Sequence, residues 1–125
     1  MTKSNNREEM NYTIKTPSAN RLKREILDKV SDKKDSNGKE ITTWKCVLTE
    51  TNDVVLVHTA EQWEEKGYLQ LIPSIAGIEL QVRFHYWDIC KDENRDNDYE
   101  KYLLGRFTEL ILVFLSYYID KVIIG

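Results

Sequence analysis

Cysteine and proline are scarce, each occurring twice in 125 residues. Cys46 and Cys90 form no C-x-x-C pair, so neither a zinc knuckle nor a redox motif of that kind is present. Two reduced and mostly interior thiols are expected, the usual state of free cysteine. Long apolar runs are missing as well. The longest, residues 110–115 with 117–119 beyond Ser116, falls short of the about 20 residues that a bilayer span requires. Residues 1–10 are polar and lack the apolar core of a signal peptide, which makes the cytoplasm the expected location. Clustered positive charge is also absent. The net charge is −3, and no predicted face gathers the Lys and Arg that nucleic-acid binding requires, so no nucleic-acid partner is expected.

The same scarcity limits chemistry. His58 and His85 are the only histidines, and no H-x-x-x-H or H-E-x-x-H spacing supplies the about three or four convergent ligands of a metal site. Gly105 stands alone in a helical stretch, without the Gly-rich loop that cradles phosphate, and its expected use is close approach of another backbone or of the sheet. The acidic groups Glu61, Glu64, Glu65 and Asp88, Asp92, Glu93 lie in polar stretches that would not raise a carboxyl pKa, so hydrolysis is not indicated. No cofactor and no metal are expected.

What is present is the pattern of a globular chain, 41% hydrophobic and 31% charged. A mobile tail over residues 1–10 and a single domain over residues 11–125 are expected. Residues 12–15 read as a short strand. Thr16 then caps a helix beginning at Pro17, with Ala19, Leu22, Ile26 and Val30 on one face and Leu27 beside them. Residues 41–50 and 54–58 form a hairpin. If Asn52 and Asp53 make its turn, Thr51 pairs with Val54 and Val47 lies across from His58. That register groups Trp44, Cys46 and Leu48 with Val55 and Val57, and puts Lys45, Val47, Leu56 and His58 on the other face.

Thr59 and Gln62 have capping-box spacing for a short helix over residues 60–66, stopped by Gly67. A strand follows over residues 68–72. The clearest strand covers residues 79–87, where Leu80, Val82, Phe84 and Tyr86 alternate with Gln81, Arg83, His85 and Trp87. Asn97 and Glu100 then start a helix that runs over residues 99–124 and carries two apolar stripes where a surface helix needs one. Leu103, Phe107, Leu110, Phe114 and Tyr117 make the first; Leu104, Ile111, Leu115, Tyr118 and Val122 make the second.

The fold class is therefore α+β, a mainly antiparallel five-stranded sheet with two main helices on one face, in the order β-α-β-β-(short α)-β-β-α. In element order this resembles the helix-grip and TATA-binding-protein-like architectures, a likeness that carries no activity with it.

Two surfaces stand out. The second stripe of the last helix, Leu104, Ile111, Leu115, Tyr118 and Val122, exceeds what a small sheet can bury and implies a homo-oligomer interface. The outward strand face gathers Gln81, Arg83, His85 and Trp87 with Lys45 and His58; of these Arg83, His85, Trp87 and Lys45 are the candidate partner-binding residues, Trp and Arg being frequent at interface centres. A small intracellular non-enzymatic protein that binds a protein partner and self-associates is the expectation. One alternative is a helix-grip binder of a small apolar ligand, with Trp44, Tyr86, Phe107, Phe114 and Tyr117 lining a cavity. Another is an enzyme using His85, Asp88 or Cys90.

Overall fold

The computed structural model describes residues 11–32, 43–59, 66–87 and 97–125. In chain order the elements are β1 (Tyr12–Lys15), α1 (Ala19–Asp32), β2 (Trp44–Leu48), β3 (Val54–His58), β4 (Gly67–Pro73), β5 (Glu79–Tyr86), α2 (Asn97–Phe114), a 3-10 turn (Ser116–Tyr118) and β6 (Lys121–Ile124). The strands form one six-stranded sheet in the order β2-β3-β4-β5-β1-β6, and every neighbouring pair is antiparallel. The architecture is α+β, as the sequence implies, with six strands instead of five. The expected mobile tail (residues 1–10) and short helix (residues 60–66) fall outside the described residues, except for Lys66, which lies in a turn.

Helix α1 starts two residues later than its sequence signal suggests. Ser18 is the cap, its hydroxyl accepting the Arg21 N–H at 3.3 Å, while the Thr16 hydroxyl accepts the Ser18 N–H at 3.4 Å and donates to the Tyr118 carbonyl at 2.8 Å. Ala19, Leu22, Ile26 and Val30 are buried on the predicted face. They share one core with inward strand residues Tyr12, Ile14, Trp44, Leu56, Leu69, Leu71, Leu80, Val82 and Phe84, and with Leu103, Phe107 and Leu110 of α2. Phe107 sits at the meeting point. Tyr12 of β1 and Trp44 of β2 both turn ring edges to it, at 5.9 and 6.2 Å between centroids, although those strands are fifth and first in the sheet.

The first hairpin has a longer turn than Asn52-Asp53 alone. Asn52 N–H donates to Thr49 O at 2.9 Å, Thr49 N–H donates to Asp53 O at 2.8 Å, and Asn52 takes a left-handed φ of 65°. This is the pattern of a three-residue hairpin loop, and asparagine is among the few residues that accept its last position readily. The register becomes Trp44↔His58, Cys46↔Leu56 and Leu48↔Val54. The shift from the expected register is an odd number of residues, so every β3 side chain changes face. Leu56 and His58 join Trp44 on the helix side. Val55 and Val57 point outward with Lys45 and Val47.

The last helix ends at Phe114, well short of residue 124. Tyr118 N–H donates to Leu115 O at 2.9 Å and Ile119 N–H to Ser116 O at 3.1 Å, tightening the chain into the 3-10 turn, after which Ile119 is extended. The β-branched run Val122, Ile123 and Ile124 then pairs with β1, where it has more to gain than as a further helical turn. Gly125 and Asn11 exchange both backbone bonds, at 3.2 and 2.9 Å.

The chain's own core changes the fate of the second stripe. Leu104, Ile111 and Leu115 are at most 2% exposed, inside the chain's own core, and Tyr118 and Val122 pack partly buried against it. The stripe is therefore satisfied within the chain and is not an open face of it. Gly105 is exposed, and a Cβ built there meets nothing within 4 Å, so it mediates no close approach.

Candidate functional site

The outward face of β4 and β5 carries the most organised group of polar and aromatic side chains among the described residues. The register opposes Tyr68 to His85 and Gln70 to Arg83. Tyr68 and His85 are stacked with centroids 5.2 Å apart at 27°, and Trp87 leans on the same phenol ring at 4.4 Å and 42°. Trp87 lies one residue past β5. Its N–H nevertheless donates to Lys66 O at 3.0 Å, which continues the ladder and holds the indole beside Tyr68.

A polar chain runs from this aromatic group to the hairpin loop. His85 Nε2 lies 2.7 Å from Gln70 Oε1, and Gln70 Nε2 donates to Asp53 Oδ2 at 3.1 Å. The carboxylate can only accept, which fixes the amide orientation and leaves its oxygen for the imidazole. His85 therefore donates from Nε2. Lys23 of α1 approaches the other carboxylate oxygen at 3.8 Å. With Nε2 donating to Gln70, that nitrogen of His85 carries the proton, and the ring lies nearly flat against Tyr68. Tyr68, His85 and Trp87 are half-buried and Arg83 is exposed.

Arg83, His85 and Trp87 thus share one face, as their alternation predicts. Lys45 is on that face too, half-buried and opposite Val57, but β3 separates it from the Tyr68 ladder. Val55 and Val57, each 1% exposed, occupy that intervening strand and lie outside the main core cluster. Tyr68, Gln70 and Asp53 complete the group. The alternation of β4 with Leu69 and Leu71 places Tyr68 and Gln70 outward; what it does not supply is the register that brings them to His85.

His58 is on the opposite, helix-side face. It is 7% exposed, edge-on to Trp44 at 5.0 Å, and burial pushes its pKa below the usual histidine value, with the Arg106 charge adding to the effect. The expectation that His58 and Cys46 point to opposite faces fails with the register. They share a face, but the Cys46 thiol donates to Leu27 O at 3.6 Å and accepts from the Ser31 hydroxyl at 3.3 Å. Cys46 is free and half-buried.

Of the expected cavity lining, Trp44 and Phe107 lie in the core, Tyr86 packs against it and Tyr117 stands outside it. Trp44 and Phe107 pack on each other, Tyr86 turns its edge to Phe84 at 4.8 Å, and Tyr117 is 94% exposed. The Phe114 side chain, Asp88 and Cys90 lie outside the described residues. Among those described, no group of three or more His, Cys, Asp or Glu residues is placed to hold a metal ion, and no helix is long and apolar enough to cross a membrane. No protein-family model, curated protein or solved structure matches the chain.

Proposed function

We propose that the chain is a small non-enzymatic binding protein whose protein partner docks on the outward face of β4 and β5. The observation that carries this reading is the Tyr68, His85 and Trp87 stack, half-exposed and held in place by the Gln70–Asp53 chain, with exposed Arg83 one residue pair away. Rigid aromatic groups lose little side-chain entropy on docking, and a guanidinium adds forked donors at the rim. The ordering cost is met largely before the partner arrives.

Co-purification from the cells that make this chain tests the reading, with Trp87→Ala and Tyr68→Ala compared against Glu109→Ala on the exposed side of α2. The outward-face substitutions should weaken capture about fivefold or more, the equivalent of about 1 kcal/mol, with circular dichroism unchanged. Capture that is indifferent to both, or loss of the fold in both, would overturn the assignment.

A further inference from the structure

We propose that β6 is a self-pairing edge, through which two copies of this chain join their sheets antiparallel about a two-fold axis at Ile123. Among the described residues β6 is the outer strand beyond β1, so one row of its backbone groups has no strand beside it. Which row this is follows from the ladder. Gly125 and Asn11 exchange both backbone bonds, and in an antiparallel pair such reciprocal pairs recur at every second residue. Ile123 with Thr13 and Lys121 with Lys15 are therefore the next reciprocal pairs toward β1. The N–H and C=O groups of Val122 and Ile124 point the other way.

That free row is complementary to itself. A second β6 laid antiparallel with Val122 opposite Ile124 of the second copy, and Ile124 opposite Val122 of that copy, forms two reciprocal pairs. Ile123 then faces Ile123 across the axis, in the non-bonded position where side chains come closest. On the outward face Ile123 meets its own copy and Lys121 meets Gly125; on the helix side Val122 meets Ile124. No like charges oppose one another. Every apolar side chain meets another apolar side chain, and Ile123 and Ile124, now 37% and 49% exposed, would be covered.

The strand is short and begins with a lysine, but is otherwise not blunted as an edge. Lys121 is its one charged residue, it contains no proline, and three β-branched residues follow in succession. A peptide from another protein could add to such an edge, but the two-fold register uses all of its free backbone groups without any further sequence. This proposal is independent of the outward-face reading, and either can fail alone.

Sedimentation equilibrium over a range of concentrations reads the result. The wild type should reach twice the 14.8 kDa chain mass. Ile124→Pro removes a donor from the free row and none from the β1 ladder, a position where an edge strand accepts proline, so it should stay at the single-chain mass with its circular dichroism intact. Ile123→Lys and Ile123→Glu place charge at the axis on an already exposed side chain. Each alone should be monomeric, and an equimolar mixture should recover the doubled mass. A wild type that keeps the single-chain mass at all concentrations overturns the proposal. So does growth beyond two copies, or a dimer indifferent to both the proline and the charge substitutions.

Discussion

His58 faces Trp44 directly across the first hairpin, its imidazole edge-on to the indole with centroids 5.0 Å apart. Charging this ring would place a cation in the core, near Arg106, and both effects hold its pKa below the ordinary 6.5. The unfolded chain, with no such penalty, takes up the proton first as pH falls. Stability is therefore fully present above about pH 6.5, declines as pH drops below it, and levels off only once the folded state is protonated too. Urea titrations from pH 8 to pH 5 should show this loss, and His58→Gln should remove that part of the slope. An identical slope in the variant would contradict the assignment.

The two sides of α2 should respond to truncation very differently. Leu104 is 2% exposed and Leu112 is 50% exposed. Leu104→Ala should cost about 2–5 kcal/mol through lost burial and the cavity left behind, while Leu112→Ala should stay within about 1 kcal/mol. Denaturant midpoints at constant slope measure both. If the two costs are equal, the helix faces have been assigned wrongly.

The strength of the Leu104 stripe also shows what the sequence could reveal and what it could not. The spacing of Leu103, Leu104, Phe107, Leu110, Ile111 and Leu115 identifies a helix with two apolar sides, and all six are buried. Their spacing does not state whether the second side meets another chain or more of the same one. Nor does spacing state where the helix ends: the apolar recurrence of Val122, Ile123 and Ile124 fits a helix while their β-branching fits a strand, and the open edge of β1, distant in sequence, decides between them.

Register was the other hidden quantity. On β5, Leu80, Val82 and Phe84 are buried and Arg83 is exposed, as alternation alone indicates. On β3 every residue is apolar except His58, so no alternation marks its faces, and they followed from the turn. Asn52 in the left-handed region lengthened that turn and sent His58 into the core. The same limit applies to the candidate site. Arg83, His85 and Trp87 could be grouped from a single strand, whereas Tyr68, Gln70 and Asp53 join them only through pairings between strands.

Hydrogen bonding of Tyr12 to α2 gives a direct test of how β1 is tied to that helix. Thr108 donates its hydroxyl hydrogen to Leu104 O at 2.7 Å, which leaves Tyr12 as the donor in the 2.5 Å contact between the two hydroxyls. Burial raises the phenol pKa, so the group remains a donor across the neutral range. Tyr12→Phe keeps the ring on Phe107 and should cost about 1 kcal/mol, the net worth of one such bond. Thr108→Val should cost a similar amount, and the double variant less than the sum. Fully additive losses would mean that the hydroxyls do not interact.

Gly67 and Gly105 should answer the same substitution with opposite signs. At the start of β4 a Cβ on Gly67 would run into the His85 carbonyl and come within 2.6 Å of the Phe84 ring. Strand backbone cannot move aside without disturbing β5, so Gly67→Ala should destabilise the chain by about 1–3 kcal/mol. It should also displace His85, and with it the contact to Tyr68, which a change in the His85 ring chemical shifts would report. At Gly105 a Cβ meets nothing within 4 Å on an exposed side of α2. There the methyl only reduces the freedom of the unfolded backbone and favours helix, so Gly105→Ala should stabilise by about 0.5–1 kcal/mol. Thermal melts of the two variants beside the wild type decide the matter: a loss at residue 105 would mean that its open side is occupied, and a gain at residue 67 would mean that β4 and β5 are not packed as closely as the Phe84 contact requires.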